Sequence, residues 1–419
     1  MKNMRMKTCD RKHSYESMGM KNMQIKNMTE HISACRLLIS AFFLFVLTCS
    51  SSFAKTRSYI LYVGTYTGAE SKGIYAYRYD AESGRMTSLG LAAETANPSF
   101  LTVDRSGKFL YAVNEVHDYQ GTTSGALTSF VIDRQTGKLK QMNEVSSHGA
   151  DPCYISLDRT GKFLLVANYT GGTVAVFPVL SDGHIGEASS VVKDAGALGP
   201  NKERQDAPHA HWIETSARNR FVYVADLGLD RVLIYKFDAS KGILTREESA
   251  QAGVFSATAP PGTGPRHIAF SSDGNFMYVL GELDSTVTVF ANDDKETFRS
   301  IQKISALPGG FSGKNDAAEI AMHPSGKFLY TSNRGDDSIA AFSVASGTGQ
   351  LALIGNFPTG GKTPRNFAID PAGTHLLVAN QESGNIVVFN IDAASGRLTP
   401  TGQVAKTGAP VCLVFLAVD

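Results

Sequence analysis

PSFLTVDRSGKFLYAVNE, residues Pro98–Glu115, is the stretch that decides the fold. Two short apolar runs flank a polar turn with a glycine in it, which reads as strand, tight turn, strand. The same words return as PCYISLDRTGKFLLVANY from Pro152, PHAHWIETSARNRFVYVADL from Pro208 and PRHIAFSSDGNFMYVLGE from Pro265. They return again as AEIAMHPSGKFLYTSNR from Ala318 and PRNFAIDPAGTHLLVANQ from Pro364. Each unit then adds an alternating strand such as TVAVFPV, RVLIYKF, TVTVFAN, SIAAFSV or NIVVFNI. Several units close with a glycine two residues before a leucine, at Gly137, Gly242, Gly349 and Gly396.

Each unit is therefore four short strands, A to D, repeating every 46 to 57 residues, near the length of a propeller blade. The ends complete the count. PVCLVFL from Pro410 supplies an A strand alone, whereas YILYVGTYT from Tyr59 and GIYAYRYD from Gly73 supply B and C with no A. Joining them closes an all-β, seven-bladed β-propeller of four-stranded blades, with no open sheet edge at the seam. A parallel β-helix needs shorter repeats, and a sandwich does not show seven copies. The propeller is expected over residues 55–419 as one domain.

The 419 residues are 42% hydrophobic and 19% charged, an ordinary globular composition. The first 54 hold eight of the 40 Lys/Arg and three of the 39 Asp/Glu, so the remainder carries 32 and 36, a net of −4. A mildly acidic body without a basic block offers nothing to nucleic acid. LLISAFFLFVL, Leu37 to Leu47, has the length of a signal-peptide apolar core and is too short to span a bilayer. The small-x-small site Ser52-Phe53-Ala54 follows it, so residues 1–54 read as a leader cleaved after Ala54. Met20, Met23 and Met28 offer alternative starts within it. The mature chain is expected in the periplasm or secreted, away from the membrane. A lipid anchor at Cys49 is the weaker reading, because threonine stands where a small residue should precede the cysteine. After cleavage only Cys153 and Cys412 remain, which excludes a disulfide framework. They lie in nonadjacent blades, and Cys153 reads as a packed thiol.

Strand A lines the channel of a propeller, and the chain enters A on the face where it leaves B. Two positions per blade therefore ring one mouth. The residue after the repeat proline reads Ser99, Cys153, His209, Arg266, Glu319, Arg365 and Val411; the end of B reads Tyr66, Glu115, Tyr169, Leu227, Glu282, Arg334 and Gln381. Arg266 and Glu282 stand 16 residues apart across one strand–turn–strand and should be near neighbours. His211 shares a strand face with His209. A carboxylate, an imidazole and guanidiniums at one mouth suit general-base attack by water and stabilisation of an oxyanion. The same residues suit structural salt bridges between blades, which for Glu319 and Arg365 taken singly is the simpler reading. His267 and His323 read as solvated or packed, and His148 as a loop residue. Asp226 and Asp230 in DLGLD read as hydrogen-bonding the B–C turn. HExxH, paired CxxC, GxSxG and P-loop motifs are absent from the sequence, so neither a metal nor a nucleotide is implied.

From LYVGTYT to PVCLVF the chain resembles the seven-bladed lactonases, a family that includes propeller 6-phosphogluconolactonases and carboxy-muconate cycloisomerases. The words that carry the resemblance are PHAH at Pro208, DLGLD at Asp226, AEI at Ala318, SNR at Ser332, PRNFAID at Pro364 and VANQ at Val378. The resemblance implies a site of one histidine, two arginines and a glutamate, falling on His211 or His209, Arg266, Glu282 and Arg334. It implies cofactor-independent hydrolysis of a small sugar lactone, with Glu282, alone or with His211, activating water and Arg266 polarising the carbonyl. Arg334 and Arg365 would hold an anionic substituent, with Glu319, Glu115 and Gln381 completing the binding surface. A muconate cycloisomerase and a non-catalytic binding propeller are the alternatives. A leader also argues for an unphosphorylated aldonolactone or uronic-acid lactone, because 6-phosphogluconolactone arises in the cytoplasm.

Overall fold

A computed structural model describes residues 58–246, 256–292 and 298–418. The expected leader, with Cys49 and the site after Ala54, lies outside them. The described chain forms seven antiparallel sheets in the predicted order. The C-terminal strand Pro410–Ala417 pairs with Ser58–Thr65, placing Tyr62 opposite Val414 and Gly64 opposite Cys412. Blade one is thus completed from both chain ends, and the seven A strands contact one another in a closed ring. In blade four the D position is filled by two short segments, Ile243–Thr245 and Ser256–Thr258, paired to different parts of Arg231–Asp238.

The repeated DRSGK turn has a direct physical cause. Asp104 accepts backbone N–H bonds from Ser106 (2.9 Å), Lys108 (2.8 Å) and Phe109 (2.7 Å), which reverses the chain between strands A and B. Asp158 does the same for Thr160, Lys162 and Phe163. Gly107 sits at φ +65°, where a side chain is strained. The closing glycines answer a different need. A Cβ on Gly349 would lie 2.3 Å from the Phe276 ring of the preceding blade, and one on Gly396 would lie 2.5 Å from Phe328. Glycine there lets each C–D turn press against its neighbour, and buried tyrosines bridge the same joints through Tyr278 Oη to Gly349 O and Tyr330 Oη to Gly396 O.

What positions the mouth is a bulge. In blades three, four, five and seven the A–B register skips one residue, and the skipped residues are Cys153, His211, Arg266 and Arg365. Blade six skips Ala318 and Glu319. A bulge frees a residue from the ladder and re-aims its side chain, and here all of these except Ala318 line the channel cavities. This corrects the frame for blade four. Ala210, opposite Asp226, holds the place that Pro152 and Pro265 hold elsewhere, so the channel residue is His211 rather than His209. The unit from Pro208 is two residues longer than its siblings, which is the displacement observed.

The DLGLD segment is also more than a turn. Asp226 Oδ1 accepts from the backbone N–H of His209 and Leu229, while Asp230 accepts from Gly262 and Gly264, in the loop entering blade five. Asp226 is fully buried beside Asp194, which accepts the Tyr235 hydroxyl, and the second oxygen of each carboxyl has no other partner among the described residues. Burial first, then their mutual repulsion, raises Asp194 well above the carboxylate range; burial also raises Asp226. A folded value above the unfolded one gives stability that is present at low pH and lost as pH rises. Asp194→Asn, which can donate to Asp226 and still accept from Tyr235, is therefore expected to melt a few degrees above the parent at about pH 8 and by less at about pH 5. Equal melting temperatures at both pH values would show that no proton is shared.

Candidate active site

At the mouth, Glu282 is enclosed by three guanidiniums. Arg266 Nε lies 2.9 Å and Arg334 Nη2 3.0 Å from Oε2, while Arg204 holds Oε1. Glu282 is 4% exposed. Burial pushes its carboxyl up, but Arg334, Arg266 and Arg204 together outweigh that and bring it down to about 2. Arg266 is equally buried and donates through Nη1 to the Ala318 carbonyl. Burial first, then Arg334 and Arg365, lower its pKa to about 10, so it remains a cation at neutral pH under electrostatic pressure.

Glu282, Arg334 and Arg204 belong to the wall of a cavity of about 270 Å³, lined also by Glu115, Cys153, Tyr169, His211 and Arg365. His211 is 4% exposed, and burial together with Arg266, His267 and Arg365 holds it well below the histidine range, so the imidazole is neutral. His209 does not line this cavity. Its ring stacks on Tyr169 at 4.6 Å, and its nitrogens face the Tyr169 carbonyl (3.1 Å) and Asp206 (3.0 Å), so it braces the wall from behind. Arg365 sits 5.2 Å over the Tyr66 ring, and the Tyr66 hydroxyl donates to Glu115 at 2.8 Å.

Beneath lies a recess lined by Ser99, Glu115, Cys153, Arg266, His267, Glu319, Arg365 and Val411 among others. Glu319 belongs to this lower layer, where it takes His267 Nδ1 at 2.9 Å and the Asn366 amide at 2.6 Å. His267 is thus packed, not solvated. His323 bonds Ser325 and Gly373 at the other end of its strand, and His148 stacks on Phe177 away from the channel. Gln381 lines neither cavity; its backbone N–H bonds the Thr363 carbonyl at the blade entrance. Cys153 and Cys412 are free buried thiols, both pushed up by burial, Cys412 to about 12.

Arg204 is a site residue that the strand repeats do not single out, and Tyr169 stands at a repeated mouth position to which they assign no role. Arg204 comes from the connection between Ser190–Lys193 and Ala210–Thr215, outside the repeat. That connection is pinned by buried Gln205, which donates to Leu227 O and accepts from Asn201 N–H. The arm then delivers Arg204 to Glu282, Tyr169 and Asp316. A larger depression of about 680 Å³ lies among the A–B turns of blades three to five, at the far end of the A strands. It is lined by no imidazole, and its Arg159 is spent on the carbonyls of Thr215 and Ser216. No group of three or more potential metal-ligating side chains occurs among the described residues.

Comparison with known proteins agrees with the seven-bladed fold. Residues 60–415 match the family described as Lactonase, 7-bladed beta-propeller. The chain is 36% identical over 310 residues to a 6-phosphogluconolactonase of Bacillus subtilis, covering 74% of this chain and 84% of that one. It is 37% identical over 316 residues to a 6-phosphogluconolactonase of Formosa agariphila, covering 74% and 85%. The solved periplasmic gluconolactonase of Pseudomonas aeruginosa superimposes with a TM-score of 0.80 at 36% identity, over 86% of this chain and all of that one. With the match spanning nearly the whole propeller and the charged mouth at its centre, the chain belongs to the seven-bladed β-propeller lactonase family.

Proposed function

We propose that this protein opens a sugar lactone by cofactor-independent hydrolysis at the mouth of the channel. The observation that carries this reading is the cage of Arg266, Arg334 and Arg204 around Glu282, with neutral His211 in the adjoining cavity wall. The guanidiniums of Arg204, Arg266, Arg334 and Arg365 line the cavity and the recess beneath it, and although Glu282 and Asp316 engage Arg204, they place fixed positive groups around a charge developing on a lactone oxygen. Arg266 polarises the carbonyl oxygen, and Arg334 and Arg365 hold an anionic substituent. Glu282, brought down to about 2, is a poor base; its role is to fix the three guanidiniums in place. A neutral imidazole is suited to donate a hydrogen bond to the ring oxygen as the C–O bond breaks, which is the role assigned to His211.

The reading is tested with the chain from Lys55 onward, following acid release by pH-stat on 6-phosphogluconolactone, gluconolactone and uronic-acid lactones. Acceleration of at least one lactone over spontaneous hydrolysis is expected, falling about 10²-fold or more in His211→Phe. No acceleration on any lactone, or ring closure of a muconate instead, overturns it. We also propose export to the periplasm or beyond, supported by the Leu37–Leu47 apolar run and by likeness to a periplasmic gluconolactonase. Fractionation with retention of full-length chain in the cytoplasm would refute export.

A further inference from the structure

The floor of the mouth gathers three polar atoms that have no hydrogen-bond partner among the described residues: Ser99 Oγ, Glu115 Oε2 and His267 Nε2. All three residues line the recess under the guanidiniums, although Ser99 and Glu115 come from blade two and His267 from blade five. Ser99 and His267 are 4% and 3% exposed, so bulk solvent does not serve them. Leaving one buried polar group unpaired costs about 1–3 kcal/mol, and three converging on one recess describe a site for a polar ligand. The recess holds about 10 Å³, room for one water molecule.

The hydrogen-bonding roles are set by the neighbours. Glu319 Oε1 stands 2.9 Å from His267 Nδ1, so that nitrogen carries the proton and Nε2 presents a lone pair. Glu115 has one oxygen taken by Tyr66 and offers the other as an acceptor. Ser99 completes the set as a hydroxyl donor. A water here gives its two protons to a carboxylate and an imidazole and accepts from serine, the polarisation a nucleophile needs. Glu115, Cys153 and Arg365 line both the recess and the cavity above, so the two communicate.

We propose that this recess binds a single water through Ser99, Glu115 and His267, and that this water attacks the lactone carbonyl, with His267 as its general base and Glu319 positioning His267. The attack rests on the lactonase reading; the water site does not. In the step, the water oxygen bonds to the carbonyl carbon and one of its protons passes to His267 Nε2. The ring C–O bond then breaks, the departing oxygen takes that proton from His267, and the new carboxyl group ionises into solvent.

Two measurements decide it. A high-resolution crystal structure of the unliganded mature protein is expected to show one water bonded to Ser99 Oγ, Glu115 Oε2 and His267 Nε2; a recess without it overturns the site whether or not any lactone is turned over. Kinetically, Glu319→Gln can donate to Nδ1 and turn Nε2 from acceptor to donor. It should lower kcat about 10²-fold or more while KM moves less than about threefold. Ser99→Ala, a milder change on the other side of the recess, should cost about five- to tenfold in kcat and serves alone if the Glu319→Gln variant does not fold. A wild-type kcat in either folded variant removes the water from the reaction. Absence of turnover by the parent protein would instead refute the lactonase reading and the attack with it, leaving the crystal structure to decide the water site.

Discussion

Glu282→Gln is expected to lose both turnover and stability, with the two losses sharing one electrostatic cause. The carboxylate is the common partner of Arg266, Arg334 and Arg204, and its amide replacement leaves three cations facing one another in a buried site. Removing one partner of a buried charge network costs about 3–5 kcal/mol. The depression of Glu282 from 4.5 to about 2 gives the same order, about 3 kcal/mol. Because the folded value lies below the unfolded one, this stabilisation is present above about pH 4.5 and is lost as pH falls toward about 2. The melting-temperature gap between parent and variant should therefore be full at neutral pH and close on acidification across that window. The kcat/KM on the best lactone should fall by about 10³-fold as the guanidiniums lose their alignment. A gap that does not change with pH, or a variant with parental turnover, would show that the cage is incidental.

How much of this was legible in sequence follows from what repeats. The seven blades and their closure were readable because Asp104 and Asp158 make the same turn in successive units, and because the C-terminal strand lacks partners that the N-terminal strands supply. Arg266, Glu282 and Arg334 were readable because each occupies a repeated position at one strand end. His209 was misplaced because strand position was counted from Pro208, while the bulge that selects the channel residue is counted from Ala210. Gln381 stands in the same repeated position as Glu282, yet nothing in the repeat says which blades tilt that residue into the cavity. Arg204 was invisible to this logic, since its arm belongs to one blade connection alone. The sequence shows only a glutamine four residues after an asparagine in a long polar loop, and the structure shows that this pair fixes the arm.

Arg266→Met should separate function from stability where Glu282→Gln joins them. Folding works against the Arg266 charge: its pKa falls from 12.5 to about 10, through burial first and then the nearby Arg334 and Arg365, with Glu282 only partly offsetting them. Below about pH 10 that penalty is fully present, and a methionine of similar length removes it while Arg334 and Arg204 still satisfy Glu282. Replacing a buried charge with a well-packed apolar side chain is often neutral or stabilising, so the variant is expected to melt within a few degrees of the parent, or above it. Turnover should nevertheless fall about 10²–10³-fold, since the same uncompensated charge is what an oxyanion forming on the lactone would relieve. Early melting comparable to that of Glu282→Gln would make Arg266 a structural counterion, and parental kcat in a stable variant would remove it from the transition state. The opposite stability responses expected of two residues 2.9 Å apart are the sign of a site that keeps its cation strained for chemistry and its anion fixed for the fold.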